Sequence, residues 1–342
     1  MQPTLKALID PCRSVSIIGM CKNAGKTCVL NEIIRQFADS GLTLALTSIG
    51  RDGEGQDLVT GTQKPGIYIR EGTLIATASD LLLRHCDVTR EILETTGVST
   101  PMGEVALFRA RSDGAVQLAG PSITAQLARL REDFFRLGAD KVLIDGALSR
   151  KSLCSRSVTE ATILCTGASY HRSIQTVVED TAYQCQLLML PETEDEALRR
   201  FAGTLGDARD TVIFGAGGAW TVPAGTSLPD ALRAPEAKDA HAVLFGGALS
   251  DFALKPLLMS STLPRDLKLV VRDSSKLLLS RAVYEKLLRR GLGIQVLDRV
   301  NLVALTVNPF SAYGCHFAKD ELTERMQARV SIPVINVMED RT

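Results

Sequence analysis

A mixed α/β fold in two successive domains is the prediction, and three observations support it. The chain has 342 residues, too many for one small core. Short runs of β-branched and aliphatic residues alternate with amphipathic stretches, the pattern of a mostly parallel sheet covered by helices. A buried strand near the N-terminus also passes through a turn ending Gly25-Lys26-Thr27 directly into a helix.

The elements follow in order. Ser14 to Ile18 reads as a strand closed by Gly19, and a helix from Lys26 to Asp39 carries Val29, Leu30, Ile33, Ile34 and Phe37 on one stripe, with Gly41 as its stop. Leu42 to Ser48 is a second strand, followed by a polar loop from Gly50 to Thr62. Gly66 to Ala78 and Val105 to Leu118 read as hairpins inserted into the α/β pattern. A helix over Ser122 to Leu137 precedes strand Lys141 to Ile144, which delivers Asp145; strand Ala161 to Thr166 and a helix from His171 come next. The acidic stretch Glu192 to Glu196 marks a composition break before strand Thr211 to Phe214, and residues 220–240 read as a linker or long surface loop. Alternation then resumes through strands at 242–245, 267–271, 294–297, 302–307 and 333–337. The expected domains are therefore 1–204 and a smaller Rossmann-like domain over 205–342, with a boundary as late as 240. IDGALS (144–149) and FGGALS (245–250) echo each other, which two similar strand-to-helix turns explain.

Bulk composition narrows the function. Lys plus Arg and Asp plus Glu are 39 each, so bulk charge points to neither nucleic acid nor a membrane surface. The longest apolar runs fall far short of the roughly 20 residues that span a bilayer. The first residues lack the apolar core of a secretory signal, and the eight cysteines contain no C-x-x-C pair, so reduced thiols and a cytoplasmic location are expected.

The strongest signal is Gly19-Met20-Cys21-Lys22-Asn23-Ala24-Gly25-Lys26-Thr27. Small residues between a strand and a helix let main-chain N–H groups converge on a polyphosphate, and the helix N-terminus adds donors and partial positive charge. The expected nucleotide contacts are Gly19, Lys22, Asn23, Ala24, Gly25, Lys26, Thr27 and Cys28, with Lys26 as the catalytic cation and Thr27 as the Mg²⁺ hydroxyl. Five residues separate Gly19 from Gly25, one more than the strict pattern allows, and Met20 holds the usual glycine place.

That longer spacing is similar to the loop of dethiobiotin synthetases and cobyrinic acid amide synthetases, and K-N-A-G-K-T resembles the molybdenum-cofactor accessory NTPases. The resemblance implies a P-loop NTPase domain over about the first 170 residues, ATP or GTP with Mg²⁺ as cofactors, and a homodimer. GMCKNAGKT, LIDGALSRKS, ATILCTGAS and LTVNPFSAYG together resemble a reactivase accessory subunit of lysine 5,6-aminomutase, an adenosylcobalamin enzyme. This implies an aminomutase as protein partner. The chain lacks an N-K-x-D or T-K-x-D base-reading segment, which favours ATP over GTP.

A carboxylate at a neighbouring strand end is expected to hold the magnesium shell, and Asp145 ends such a strand. The loop Gly50 to Asp57 carries three carboxylates and three glycines where a switch segment is expected, with Asp52 as its catalytic candidate. Arg150, Lys151 and Arg156 read as a solvated basic face, and the four histidines as structural. Gly215-Ala216-Gly217-Gly218 reads as a turn. Three functions compete: an NTPase switch or reactivase that acts on a partner protein, an ATP-dependent ligase or kinase acting on a small carboxylate, and a scaffold that binds nucleotide without hydrolysing it.

Overall fold

The computed structural model describes residues 3–49, 66–146, 154–204, 210–261, 263–264 and 266–338. It is a mixed α/β protein dividing into two compact units, Met1–Cys185 with Asn301–Thr342, and Gln186–Val300.

Helix α1 (Leu5–Ile9) opens the first unit, its N-terminus capped by the Thr4 hydroxyl, which accepts from the Ala7 N–H at 3.2 Å. Strand β1 (Ser14–Gly19) is buried along its whole length. Helix α2 (Lys26–Phe37) follows and buries the predicted stripe Val29, Leu30, Ile33, Ile34 and Phe37. Then come β2 (Leu44–Ser48), β3 (Ile67–Ile69), β4 (Leu74–Ala78), α3 (Ser79–Arg84), β5 (Arg90–Thr100), β6 (Gly103–Ala110), β7 (Gly114–Val116), α4 (Thr124–Arg136), β8 (Lys141–Asp145), β9 (Ala161–Gly167) and α5 (Ile174–Leu188).

The second unit contains α6 (Glu196–Thr204), β10 (Thr211–Gly215), β11 (Gly218–Thr221), α7 (Leu228–Ala231), β12 (Ala242–Phe245), β13 (Leu249–Ser250), α8 (Asp251–Met259), β14 (Lys268–Val271), β15 (Leu277–Leu278), α9 (Arg281–Arg289) and β16 (Gly293–Val296). The chain then returns to the first unit with β17 (Leu302–Asn308), α10 (Lys319–Gln327) and β18 (Val334–Asn336).

The first unit is built on a nine-stranded sheet in the order β18-β17-β9-β1-β8-β2-β4-β6-β5. All pairings from β18 to β4 are parallel, and β6 and β5 add an antiparallel edge. Alternation sorts the strand residues onto two faces. Val15, Ile17, Leu46, Leu143, Ile163 and Cys165 pack into one core with α1 and α2. On the opposite face Ser16 and Thr162 share a hydroxyl hydrogen bond at 2.9 Å, and Thr166 shares another with Thr181 of α5, also at 2.9 Å. Lys141 starts β8 fully buried, and its ammonium donates to the carbonyls of Ile9 (2.8 Å) and Cys12, tying the end of α1 to the sheet.

The expected division into 1–204 and 205–342 is corrected by this topology. β17 and β18 belong to the first sheet, so the second unit is an insertion and not the C-terminal half. It also starts earlier than expected: Thr193 N–H donates to Val296 at 2.9 Å, which places the acidic 192–196 stretch in the inserted unit. The inserted sheet runs β11-β10-β12-β14-β16, parallel from β12 to β16 and antiparallel at β10 and β11. Gly215 to Gly218 forms the turn of the β10–β11 hairpin, as read from sequence.

The hairpin expectation is corrected too. β4 joins the main sheet beside β2, and β3 pairs with distant β7, leaving β5–β6 as the sequential hairpin of this region. No helix among the described residues is long and apolar enough to cross a membrane.

Candidate functional site

Parallel strands share a carboxyl edge, and here Gly19, Ser48, Asp145, Gly167 and Asn308 are the last residues of β1, β2, β8, β9 and β17. From β1 the chain moves through α2 to β2 on one side, whereas β9 lies on the other side. The strand order therefore reverses at β1, and in open α/β sheets the crevice at such a reversal is where ligands bind. Residues 20–25 leave the carboxyl end of β1 at that reversal.

The turn is built by backbone geometry. Gly25 is the residue before α2, with φ +95° and ψ 11°, a left-handed conformation in which a Cβ is strained. As a glycine, this N-cap residue has no side chain of its own to cap the helix. The first N–H groups of a helix have no intrahelical acceptor, so this end presents donors and positive potential to an anion. Asn23 is also left-handed at φ 58°. Two such residues in one short turn fold it tightly, and the Met20 N–H anchors its start on the Cys165 carbonyl at 2.8 Å.

Lys26 folds back over the turn. A Cβ on Gly19 would stand 3.1 Å from both Cγ and Cδ of Lys26 and 3.3 Å from the Ala24 Cβ. Gly19, Ala24 and Lys26 therefore lie close together in the turn. Lys22 is exposed and Thr27 and Cys28 are part-exposed in the first turn of α2 and just before it. Asp145 stands opposite Ile17 on the strand next to β1, and its carbonyl accepts from the Ile49 N–H at 2.9 Å while Gly146 N–H donates to Ile17 at 2.9 Å. These bonds fix the end of β8 between β1 and β2. One carboxylate oxygen of Asp145, Oδ1, is buried.

The electrostatics beneath the turn concern thiols. Cys165 pairs with Gly19 across β1–β9 and is fully buried; burial pushes its thiol up to about 12, against opposing pulls from a Thr306 hydrogen bond and the Lys26 charge. Burial likewise pushes Cys21 up to about 11, with Lys26 pulling the other way. Neither thiol is ionised near neutral pH, so Lys26 has no thiolate counter-charge there.

Sequence reasoning missed the wall formed by β9 and β17. Asn308 lies against Gly25: a Cβ on Gly25 would be 3.2 Å from the Asn308 Cβ and 3.6 Å from its Nδ2. The Oδ1 of Asn308 accepts from the Phe310 N–H at 3.0 Å, which orients the amide. The Ala168 N–H donates to the Asn308 carbonyl at 2.9 Å, and Gly167 has no room for a Cβ because that carbonyl fills the space. The available signal was the Asn308-Pro309 dipeptide at a strand end, a turn marker whose place beside residue 25 only the sheet order reveals.

Asp52, with the expected switch segment 50–62, lies outside the described residues, as do Arg150 and Lys151. Arg156 is exposed. The histidines are dispersed: His171 accepts from Ser173 N–H at 2.9 Å, His241 pairs with Asp195 at 2.9 Å, and His316 packs edge-on to Phe310. Neither a scan against models of known protein families nor a search of characterised proteins finds a match for this chain.

Proposed function

We propose that the 19–28 turn binds a nucleoside triphosphate, read as ATP, together with Mg²⁺, and that hydrolysis drives a conformational switch acting on a protein partner. The observation that carries this reading is the start of α2: a left-handed Gly25 at the N-cap and Lys26 laid back over Gly19 at the strand-order reversal. The residues present fit the group. Main-chain N–H groups from residues 22–28 would surround the phosphates, and the Lys26 ammonium would meet the β/γ oxygens. The Thr27 hydroxyl and, through its shell, the Asp145 carboxylate would hold the metal. Bound Mg²⁺ would supply neutralisation of the phosphate charge. Asp52 is the proposed element that senses the γ-phosphate or positions water. The likeness of four segments to an aminomutase reactivase names the partner class for this reading.

Binding of MgATP and MgGTP to the purified chain, measured by calorimetry, tests it. Lys26→Ala should weaken binding at least about tenfold, the scale of a lost charged hydrogen bond, with the fold intact by circular dichroism. Absence of affinity for any nucleotide with Mg²⁺ present overturns the proposal. Nucleotide consumption strictly dependent on a small acid would replace the switch with a ligase or kinase.

A further inference from the structure

A second candidate surface lies on the inserted unit. Helices α8 and α9, of nine residues and about 13 Å each, flank a groove of about 670 Å³. Leu258 and Val283 are part-buried in its lining, whereas Phe252 is 85% and Met259 is 76% exposed along one side of α8. Large apolar side chains exposed together at a concave site mark a binding surface, because single exposed ones scatter and do not converge.

The groove is also basic. Its charged lining comprises Asp251, Lys255, Lys286, Arg289 and Arg290, four cations to one anion, in a chain whose formal net charge is zero. Two of these five have structural work. Asp251 Oδ1 accepts from the Ser280 N–H at 2.9 Å, and Arg290 donates to the carbonyls of Leu257 (3.1 Å) and Leu258 (2.6 Å), clamping α9 to the end of α8. Lys255, Lys286 and Arg289 make no ion pair among the described residues. Arg290 thus ties α9 to the end of α8, and three further cations line the groove.

We infer that this groove docks a short amphipathic helix of a protein partner, whose apolar anchors seat against Phe252, Leu258 and Met259 while its acidic residues meet Lys255, Lys286 and Arg289. A groove between two helices offers no free strand edge, so the helix-in-groove mode applies, with anchors at i, i+3 or i+4 and i+7. Charge complementarity selects an acidic partner and steers its approach. Concavity favours a helix over a lipid surface, which binds protruding apolar faces. This inference is independent of nucleotide binding.

The test is a selection on the full chain from a displayed library of amphipathic helices with randomised polar positions. The native chain should enrich Asp- and Glu-bearing sequences, and the triple variant K255E/K286E/R289E should enrich Lys- and Arg-bearing ones. Phe252→Ser should bind the enriched peptides at least about tenfold more weakly, as loss of an aromatic anchor does, while Phe252→Leu retains them; exposure of Phe252 keeps both variants folded. The proposal is overturned if nothing is enriched, or if native and triple-variant chains select the same sequences. It is equally overturned if phosphatidylglycerol vesicles bind in place of peptides, or if sedimentation shows a self-associated dimer that Phe252→Ser abolishes.

Discussion

Asn308 closes against Gly25: the asparagine Cβ lies 3.2 Å from where a Cβ on Gly25 would stand. Two residues 283 positions apart in sequence thus form one contact, joining the end of β17 to the start of α2. The contact is made possible by the missing side chain at Gly25, and the Asn308 amide is oriented by the Phe310 N–H. The turn's shape consequently depends on a strand that arrives only after the whole inserted unit has been traversed.

Gly25→Ala should expose that dependence. The left-handed backbone alone costs an alanine about 1–2 kcal/mol, and the new methyl must also displace the Asn308 side chain. The expected result is a melting temperature lowered by a few degrees and loss of MgATP affinity. Unchanged nucleotide affinity in a folded Gly25→Ala protein would show that the turn does not contact phosphate.

Gly167→Ala should be more damaging to the fold. Its Cβ would collide with the carbonyl oxygen of Asn308 and stand 2.9 Å from the carbonyl carbon. Both are backbone atoms that cannot rotate aside. Overpacking of this kind costs about 1–3 kcal/mol or more, so the urea midpoint should fall clearly. A wild-type midpoint would mean that β9 and β17 are not packed at this junction.

The thiols beside the turn should be chemically quiet. With Cys21 at about 11, its thiolate fraction at pH 8 is about 0.1%. Iodoacetamide at pH 8 should label Cys21 far more slowly in the native than in the unfolded protein, and the fully buried Cys165 only after unfolding, as mass spectrometry of timed samples would show. Rapid native-state labelling of Cys21 would contradict the burial that raises it.

The inserted unit makes a pH prediction. Asp195 Oδ1 accepts from the Leu198 N–H at 3.0 Å and so caps α6, and its other oxygen meets His241 at 2.9 Å. Burial tends to raise the Asp195 carboxyl, but the N–H bonds and His241 outweigh it, leaving it below 3.8. A lowered native value means stability that is present above pH 3.8 and is lost as pH falls through the native value. Asp195→Ala should cost about 1 kcal/mol at pH 7, chiefly through the cap, since the exposed His241 pair contributes little. The difference from wild type should shrink in denaturant titrations below pH 3.8.

Much of the α/β grammar was legible because local patterns determine it. The stripe Val29, Leu30, Ile33, Ile34 and Phe37 repeats at helical spacing, and it is buried as that spacing requires. Asp145 was placed at a strand end because the apolar run Val142, Leu143 and Ile144 precedes it and Gly146 follows. Strand β5 escaped notice: its Arg, Glu, Thr and Gly residues lie at a sheet edge and alternate only loosely between exposed and part-buried. An edge strand needs no buried face, so its composition carries little signal.

By itself the sequence determined that a buried strand, a tight glycine turn and an amphipathic helix succeed one another over residues 14–37, with Lys26 at the helix start. Only the tertiary structure decided that Cys165 and Asn308 enclose that turn, that Asp145 flanks it, and that residues 186–300 form an insertion within the first unit. The physical reason is that parallel neighbours are joined through long crossovers, so no local spacing states which strand lies beside which. Packing of the whole sheet settles that order, and with it the surroundings of Lys26.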